Sequence, residues 1–162
     1  MQNRLKSVAI TGLTLAVVLA VQMIGLPNIL TGVAVNAVFV FLTGYLDFRS
    51  AFVVGFLSPV GGFFSGHLPA AMYPLIPVIM LGNVAFVGLY SFLKARHWVL
   101  RYVFPSLIKS LLIFVAGIGL IKWLAIGEQV KWLVMPVIGI QFFTAIAGIL
   151  IGERICDQLG DR

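Results

Sequence analysis

The sequence predicts an all-α membrane protein, a bundle of six transmembrane helices with both termini in the cytoplasm. Three observations predict it. Of 162 residues, 61% are hydrophobic and only 10% charged, and the mean hydropathy is +1.11, more apolar surface than a soluble domain of this size can bury. The charges fall between apolar segments of about 20 residues, the length needed to cross a hydrocarbon layer about 30 Å thick. The Lys and Arg residues also gather on one side of that pattern.

Charges and Pro/Gly clusters punctuate the chain into spans at about 7–27, 30–46, 50–66, 71–93, 101–122 and 131–152, a single integral membrane domain covering 1–162. The first, from Ser7 to Leu26, is long enough to cross and is followed by no small-residue cleavage site and polar domain. It is expected to stay as a helix and not to be removed as a signal peptide. The second and third spans are the shortest. The third ends in Ser58-Pro59-Val60-Gly61-Gly62, where a regular helix is expected to break or kink. Irregular backbone at that depth survives only inside protein or beside a cavity, which makes this span a pocket candidate.

Orientation follows from the basic residues, because cytoplasmic segments carry the excess of Lys and Arg. With both termini inside, the inner segments hold Arg4, Lys6, Arg49, Lys94, Arg96, Arg101, Arg154 and Arg162, and the outer ones hold only Lys122 and Lys131. The net charge of +6 is thus an orientation signal, and nucleic acid is not an expected partner. Trp98, Trp123 and Trp132 fall near span ends, as interfacial anchors do. Cys156, the single cysteine, falls in the inner C-terminal tail with no thiol to pair with, and no function is assigned to it. There is no phosphate-binding Gly-Lys-Ser/Thr loop, so the chain is not expected to hydrolyse nucleotide by itself. No pair of acids, His cluster or nucleophile with a base can be assembled within the spans. An enzyme is not expected, nor is a metal site or cofactor.

The informative residues are therefore the polar ones inside the spans, where they are costly and face protein or water. Counting depth at about 1.5 Å per residue places Gln22, Asn28, Thr31, Asn36, Ser65, His67, Tyr73 and Gln141 in the outer half or at the outer surface, with Ser58 and Asn83 nearer the middle. Phe63 and Phe64 join them. A few polar groups among aromatic and aliphatic walls describe a small-molecule site, here Asn36, Ser58, Phe63, Phe64, His67, Tyr73, Asn83 and Gln141. Each has a plainer reading. Asn36 and Asn83 also suit interhelical hydrogen bonding, His67 an exposed turn, and Tyr73 an interfacial anchor. Lys109, about 12 Å from the inner end of its span, is expected to extend its amine toward that end and serve a structural role.

Small residues form two stripes. Gly12, Ala16 and Ala20 recur every fourth residue on the first span, and Thr144, Gly148 and Gly152 near the end of the last. Such stripes let helices approach closely, either inside the bundle or against a partner subunit.

Several of these features together resemble a family. The six-span plan, the Ala16/Ala20 stripe and the succession Gly25-Leu26-Pro27, Thr31-Gly32, Val35-Asn36-Ala37, Leu57-Ser58-Pro59, Gly66-His67-Leu68-Pro69-Ala70, Pro74-Leu75-Ile76-Pro77 and Gly82-Asn83 are similar to the substrate-binding S component of an energy-coupling factor (ECF) vitamin transporter. The likeness is best from about residue 12 to 93, and order and spacing carry it more than any single motif. It implies a subunit in a prokaryotic plasma membrane that captures a water-soluble micronutrient from outside. Its implied partners are the lipid bilayer, a transmembrane coupling subunit docked on the Gly12, Ala16 and Ala20 stripe, and two cytoplasmic ATPases. It also implies toppling of the subunit in the membrane to release cargo inward, and a lid from the outer loops near 27–31, 61–70 and 123–131.

The start Met1-Gln2-Asn3-Arg4 lacks the N-terminal histidine of metal-transporting relatives, which argues against nickel or cobalt. Only Glu128, in a loop, offers a carboxylate in the outer half, so a strongly cationic ligand lacks a buried counter-charge. A neutral or anionic organic molecule fits better. The competing expectation is a non-transporting membrane scaffold or assembly subunit with no small-molecule ligand, in which the polar residues only join helices.

Overall fold

The computed structural model describes residues 2–64, 66, 70–123 and 128–160, and throughout them the chain forms helices and turns, with no strand among the described residues. Six α-helices follow one another: α1 (Gln2–Met23), α2 (Asn28–Tyr45), α3 (Phe48–Phe64), α4 (Ile76–Leu93), α5 (Phe104–Trp123) and α6 (Glu128–Gly160). A 3₁₀ turn, Ala70–Leu75, leads into α4, and a π turn, Val99–Val103, leads into α5. Among the described residues, five stretches are long and apolar enough to cross a membrane, namely Arg4–Met23, Asn28–Tyr45, Tyr73–Leu93, Val99–Leu120 and Gly139–Leu159. The sixth helix, α3, has 17 residues and rises only about 25 Å.

Local chemistry sets the corners. Gly25, at φ 87°, takes the left-handed conformation just past α1, and Pro27 precedes the first residue of α2. Asp47 stands immediately before α3 and caps it, its Oδ1 accepting the Ser50 backbone N–H at 2.7 Å. That bond, ahead of smaller contributions from the Ser50 and Ser7 hydroxyls, holds the Asp47 carboxyl below its ordinary range despite partial burial.

Contacts between helix ends show which ends lie together. Ser7 near the start of α1 meets Asp47 and Ser50 at the start of α3, Lys94 after α4 donates to Thr43 O near the end of α2, and Tyr90 of α4 reaches Glu153 of α6. One end of the bundle therefore collects Arg4, Lys6, Arg49, Lys94, Arg96, Arg101 and Arg154. Lys122 lies toward the other. Trp98 and Trp123, both exposed, bracket α5 about 37 Å apart along the axis, a spacing suited to the two faces of a bilayer. The side chains of Trp132 and Lys131 lie outside the described residues.

The core runs along α2. Phe39, Leu42, Val40, Val54, Phe86, Val87 and Ile149 are fully buried around it. The closest seam joins α2 to α6. Gly148 packs against Asn36 and the Ala37 backbone, and Gly152 against the Ala37 carbonyl and Val40; a Cβ on Gly152 would stand 2.6 Å from Ala37 O. The stripe then continues one more turn. Cys156 Sγ lies against Phe41 O at 3.7 Å and over Gly44. Cys156 is therefore part of this seam and not of a tail, and α6 extends beyond the expected end at 152 because its small face keeps meeting α2.

The outward-facing surface is largely apolar. Leu13, Phe92 and Phe143 are 68%, 84% and 72% exposed, which is intelligible with lipid, not water, as the solvent.

Two predictions follow from this packing. Gly152→Ala should lower stability in detergent by about 1–3 kcal/mol, because the added methyl meets backbone that cannot yield, whereas Gly12→Ala, with open space around it, should change it by less than about 0.5 kcal/mol; thermal denaturation of both variants checks the contrast. Asp47→Ala should cost about 1 kcal/mol at neutral pH. Because the folded-state pKa of Asp47 is the lower one, its contribution is whole well above the unfolded value near 3.9 and is lost as pH falls through the folded value. The stability difference between wild type and variant should therefore shrink on acidification below about pH 4.

Candidate functional site

The polar residues singled out within the spans separate into groups with different fates. The first surrounds Pro59. Of the break or kink expected at Pro59, the break does not occur: α3 runs on to Phe64 as one helix. Proline has no N–H, so the carbonyl four residues back, Gly55 O, loses its helical donor. Asn83 Nδ2 of α4 donates to Gly55 O at 3.1 Å, the Ser58 hydroxyl donates to the same oxygen at 3.3 Å, and Asn83 Nδ2 also reaches Ser58 Oγ at 3.3 Å. All three groups are buried. The helix stays continuous because a neighbouring side chain replaces the missing donor, as lipid-embedded helices require.

The second group is centred on Lys109. Its amine does not extend to the helix end. Lys109 is only 2% exposed, and Nζ donates to Asn36 Oδ1 at 2.6 Å. Asn36 Nδ2 points to Thr144 Oγ1 at 3.5 Å, the limit of a hydrogen bond, and the Thr144 hydroxyl donates to Gln141 O at 3.2 Å. The Phe86 and Phe39 rings flank the amine, with Nζ 5.3 and 5.9 Å from their centroids. Four helices thus meet here at mid-span: α2 brings Asn36 and Phe39, α4 Phe86, α5 Lys109 and α6 Thr144. The expected extension toward the basic end fails because Asn36 offers an acceptor at the same depth and the two rings enclose the stem.

At the end away from the basic residues, Phe63 stands edge-on to Tyr73, ring centroids 4.7 Å apart, and to Phe64 at 5.3 Å. Phe64 itself is 76% exposed and faces outward. Gln22 Oε1 is buried beside Gly61 with no hydrogen-bond partner among the described residues. Gln141 is half-buried one turn before Thr144, whose hydroxyl its backbone carbonyl accepts. Ser65 and His67 lie outside the described residues, as do 124–127 of the expected lid. The structure therefore joins Asn36 to Lys109, Ser58 to Asn83, and Phe63 to Tyr73, as three separate pairs.

A further cluster was not anticipated. Glu153 Oε2 accepts the Tyr102 hydroxyl at 2.6 Å and Oε1 accepts the Tyr90 hydroxyl at 2.9 Å. Arg101 Nη2 donates to Tyr102 Oη at 2.7 Å, and its Nε lies 3.2 Å from Glu153 Oε1 as an ion pair without hydrogen-bond alignment. Beside them opens a cleft of about 500 Å³ reached by Lys94, Arg154 and Asp157. The π turn puts both Arg101 and Tyr102 on α6. The fourfold spacing of Thr144, Gly148, Gly152 and Cys156 was the available signal that Glu153 still belongs to the packed helix.

The two small-residue stripes also differ. That of α6 is consumed against α2. That of α1 is not: Gly12 has nothing within 4 Å of a would-be Cβ, and Ala16 and Ala20 are exposed, since α1 packs on α3 and α2 through its other face.

What the fold and these groups define is a class, a polytopic helical membrane protein with a buried lysine, asparagine and threonine joined at mid-span. No family model matches the chain, and neither curated proteins nor solved structures contain a match.

If Asn83 repairs the proline, its value depends on Pro59. Asn83→Leu should destabilise the protein by about 1–3 kcal/mol by removing the shorter of the two hydrogen bonds to Gly55 O and leaving the Ser58 hydroxyl as its single side-chain donor. In a Pro59→Ala background, where the residue 59 N–H serves that carbonyl, the same change should cost under about 1 kcal/mol; a thermal double-mutant cycle measures the coupling.

Proposed function

We propose that this chain is the substrate-binding membrane subunit of an ATP-driven importer of the ECF type, capturing a small water-soluble vitamin or related micronutrient from outside a prokaryotic cell. The observation that carries the reading is the outward face of α1. A stripe of small residues inside lipid has no use on its own, because lipid covers any apolar side chain equally well, and its worth lies in letting another helix approach. In α6 that use is visible within the chain. In α1 it is left open, which fits a coupling subunit docking across Gly12, Ala16 and Ala20. The excess of basic residues at one end supports placing that end, with both termini, in the cytoplasm, where two ATPase subunits would act. Substrate then enters from the Phe63 and Tyr73 end toward the buried polar cluster at mid-span.

The repaired proline favours the second reading, a membrane scaffold without ligand, since it shows that at least Asn83 and Ser58 have structural work to do. The two readings part at the α1 face. Coexpressed with a coupling subunit and an ATPase pair, the wild-type chain should copurify with them and support ATP-dependent uptake of a labelled vitamin. Ala16→Trp and Ala20→Trp should keep the isolated chain's melting temperature within about 2 °C, the side chains being exposed, yet abolish copurification. Failure of the wild type to associate with any coupling subunit, with no vitamin retained, would sink the importer reading in favour of the scaffold.

A further inference from the structure

Lys109 is the only fully buried Lys or Arg among the described residues, and it lies midway along its span. Held as an ammonium, its amine needs a counter-anion, because a lone charge in that setting is strongly destabilising. The chain has five acids: Asp47, Glu128, Glu153, Asp157 and Asp161. None lies between residues 48 and 127, and Glu128 is 16 residues, about 24 Å of helix, from Thr144. Glu153 is about 13 Å along α6 on the other side and is already held by Arg101 and two tyrosines. Among the described residues Lys109 has no ion pair.

Its hydrogen bonding is also incomplete. An ammonium group has three N–H donors, and one is used, on Asn36 Oδ1 at 2.6 Å. The neighbouring donor, Asn36 Nδ2, is held only loosely by Thr144 at 3.5 Å. Two adjacent donors, one cationic, with aromatic rings on the flanks and no anion, form the complement of a carboxylate. The nearest other cations along this stretch are Arg101, in the π turn before α5 and committed to Glu153, and Lys122 of α5, about 20 Å away. One positive charge balances one negative charge and no more.

We infer that the substrate is an organic monoanion, a small carboxylic acid whose carboxylate pairs with Lys109 Nζ and Asn36 Nδ2. The inference rests on the importer reading and narrows its substrate class. Away from the basic end, the buried face of α5 continues with the apolar residues Ile113 and Gly117, so the organic body of such an acid would meet no second charge there.

The test titrates detergent-purified protein with matched pairs that differ only in the acid group: nicotinate and nicotinamide, pantothenate and pantothenol, biotin and biotinamide. One acid should bind the wild type at least tenfold tighter than its neutral partner. Lys109→Met should weaken that acid at least 100-fold while the unliganded protein melts no lower than wild type. Asn36→Asp keeps the lysine and supplies a built-in anion, so it should raise the unliganded melting temperature and weaken the acid at least tenfold, which keeps the test decisive if Lys109→Met does not fold. A neutral compound bound as tightly as its acid, or an acid bound equally by wild type and Asn36→Asp, would overturn the inference and leave the importer reading standing. Silence of the wild type across all six compounds and a broader vitamin panel, with nothing retained in native mass spectrometry, overturns both.

Discussion

Inside a bilayer a polar group that finds no partner in the protein finds none at all, and this single constraint arranges the interior of the molecule. Gly55 O shows it at its simplest. Pro59 removes one hydrogen from the α3 ladder, and in water the freed carbonyl would be solvated at small cost. Here the remedy comes from another helix, through Asn83, with Ser58 filling the second lone pair. The same bond ties α3 to α4, so a local defect in one helix becomes an interhelical contact. Glu153 obeys the same rule with a charge, since two tyrosine hydroxyls and a guanidinium surround it before it is allowed within the packed end of the bundle.

Close packing makes these short polar bonds possible. Gly148 and Gly152 bring the α6 backbone onto Ala37 and Val40, and Gly32 admits Thr144 at van der Waals distance. Without that proximity Thr144 could not stand at the level of Asn36, and Glu153, one position after Gly152, could not reach Tyr90 and Tyr102. Small residues thus act twice, first by lowering the interhelical distance and then by presenting the polar residues beside them at bonding range. The α1 stripe has the first property without the second. The hydroxyls beside it, Thr11 and Thr14, instead bond back into their own helix, at Ser7 O and Ile10 O.

Much of this was legible from composition and spacing, and what was not has definite causes. Apolar segments and basic punctuation located the helices, because helix length in a membrane follows from hydrocarbon thickness. Of the break or kink foreseen at Pro59, the break is absent because a proline's effect depends on a donor supplied from residue 83, which no local pattern announces. Depth alone grouped Asn36, Ser58 and Asn83 into one site, but depth is a single coordinate, and the azimuth of each residue around its helix sends them to different clusters. Lys109 was misread for the same reason: counting residues from the helix end showed that the side chain was long enough to leave, not that Asn36 and two phenylalanine rings would hold it in place. The α1 and α6 stripes looked alike in sequence and were distinguished only by what lies opposite each.

The clusters differ in whether they close, and magnitudes separate their roles. Around Asn83 every donor is matched to an oxygen, and an interhelical hydrogen bond in a membrane protein is worth about 0.6 kcal/mol on average, a sufficient return for a residue that only joins helices. Around Glu153 the charge is opposed by Arg101. Around Lys109 neither account balances. The amine's bond to Asn36 brings at most a few kcal/mol, while an uncompensated buried charge costs about 3–5 kcal/mol, in a protein whose whole stability is on the order of 5–15 kcal/mol. Methionine would fill the same space between Phe39 and Phe86 without that cost. Structural glue therefore leaves a charged lysine at this position unbalanced, and the carboxylate proposed above would balance it.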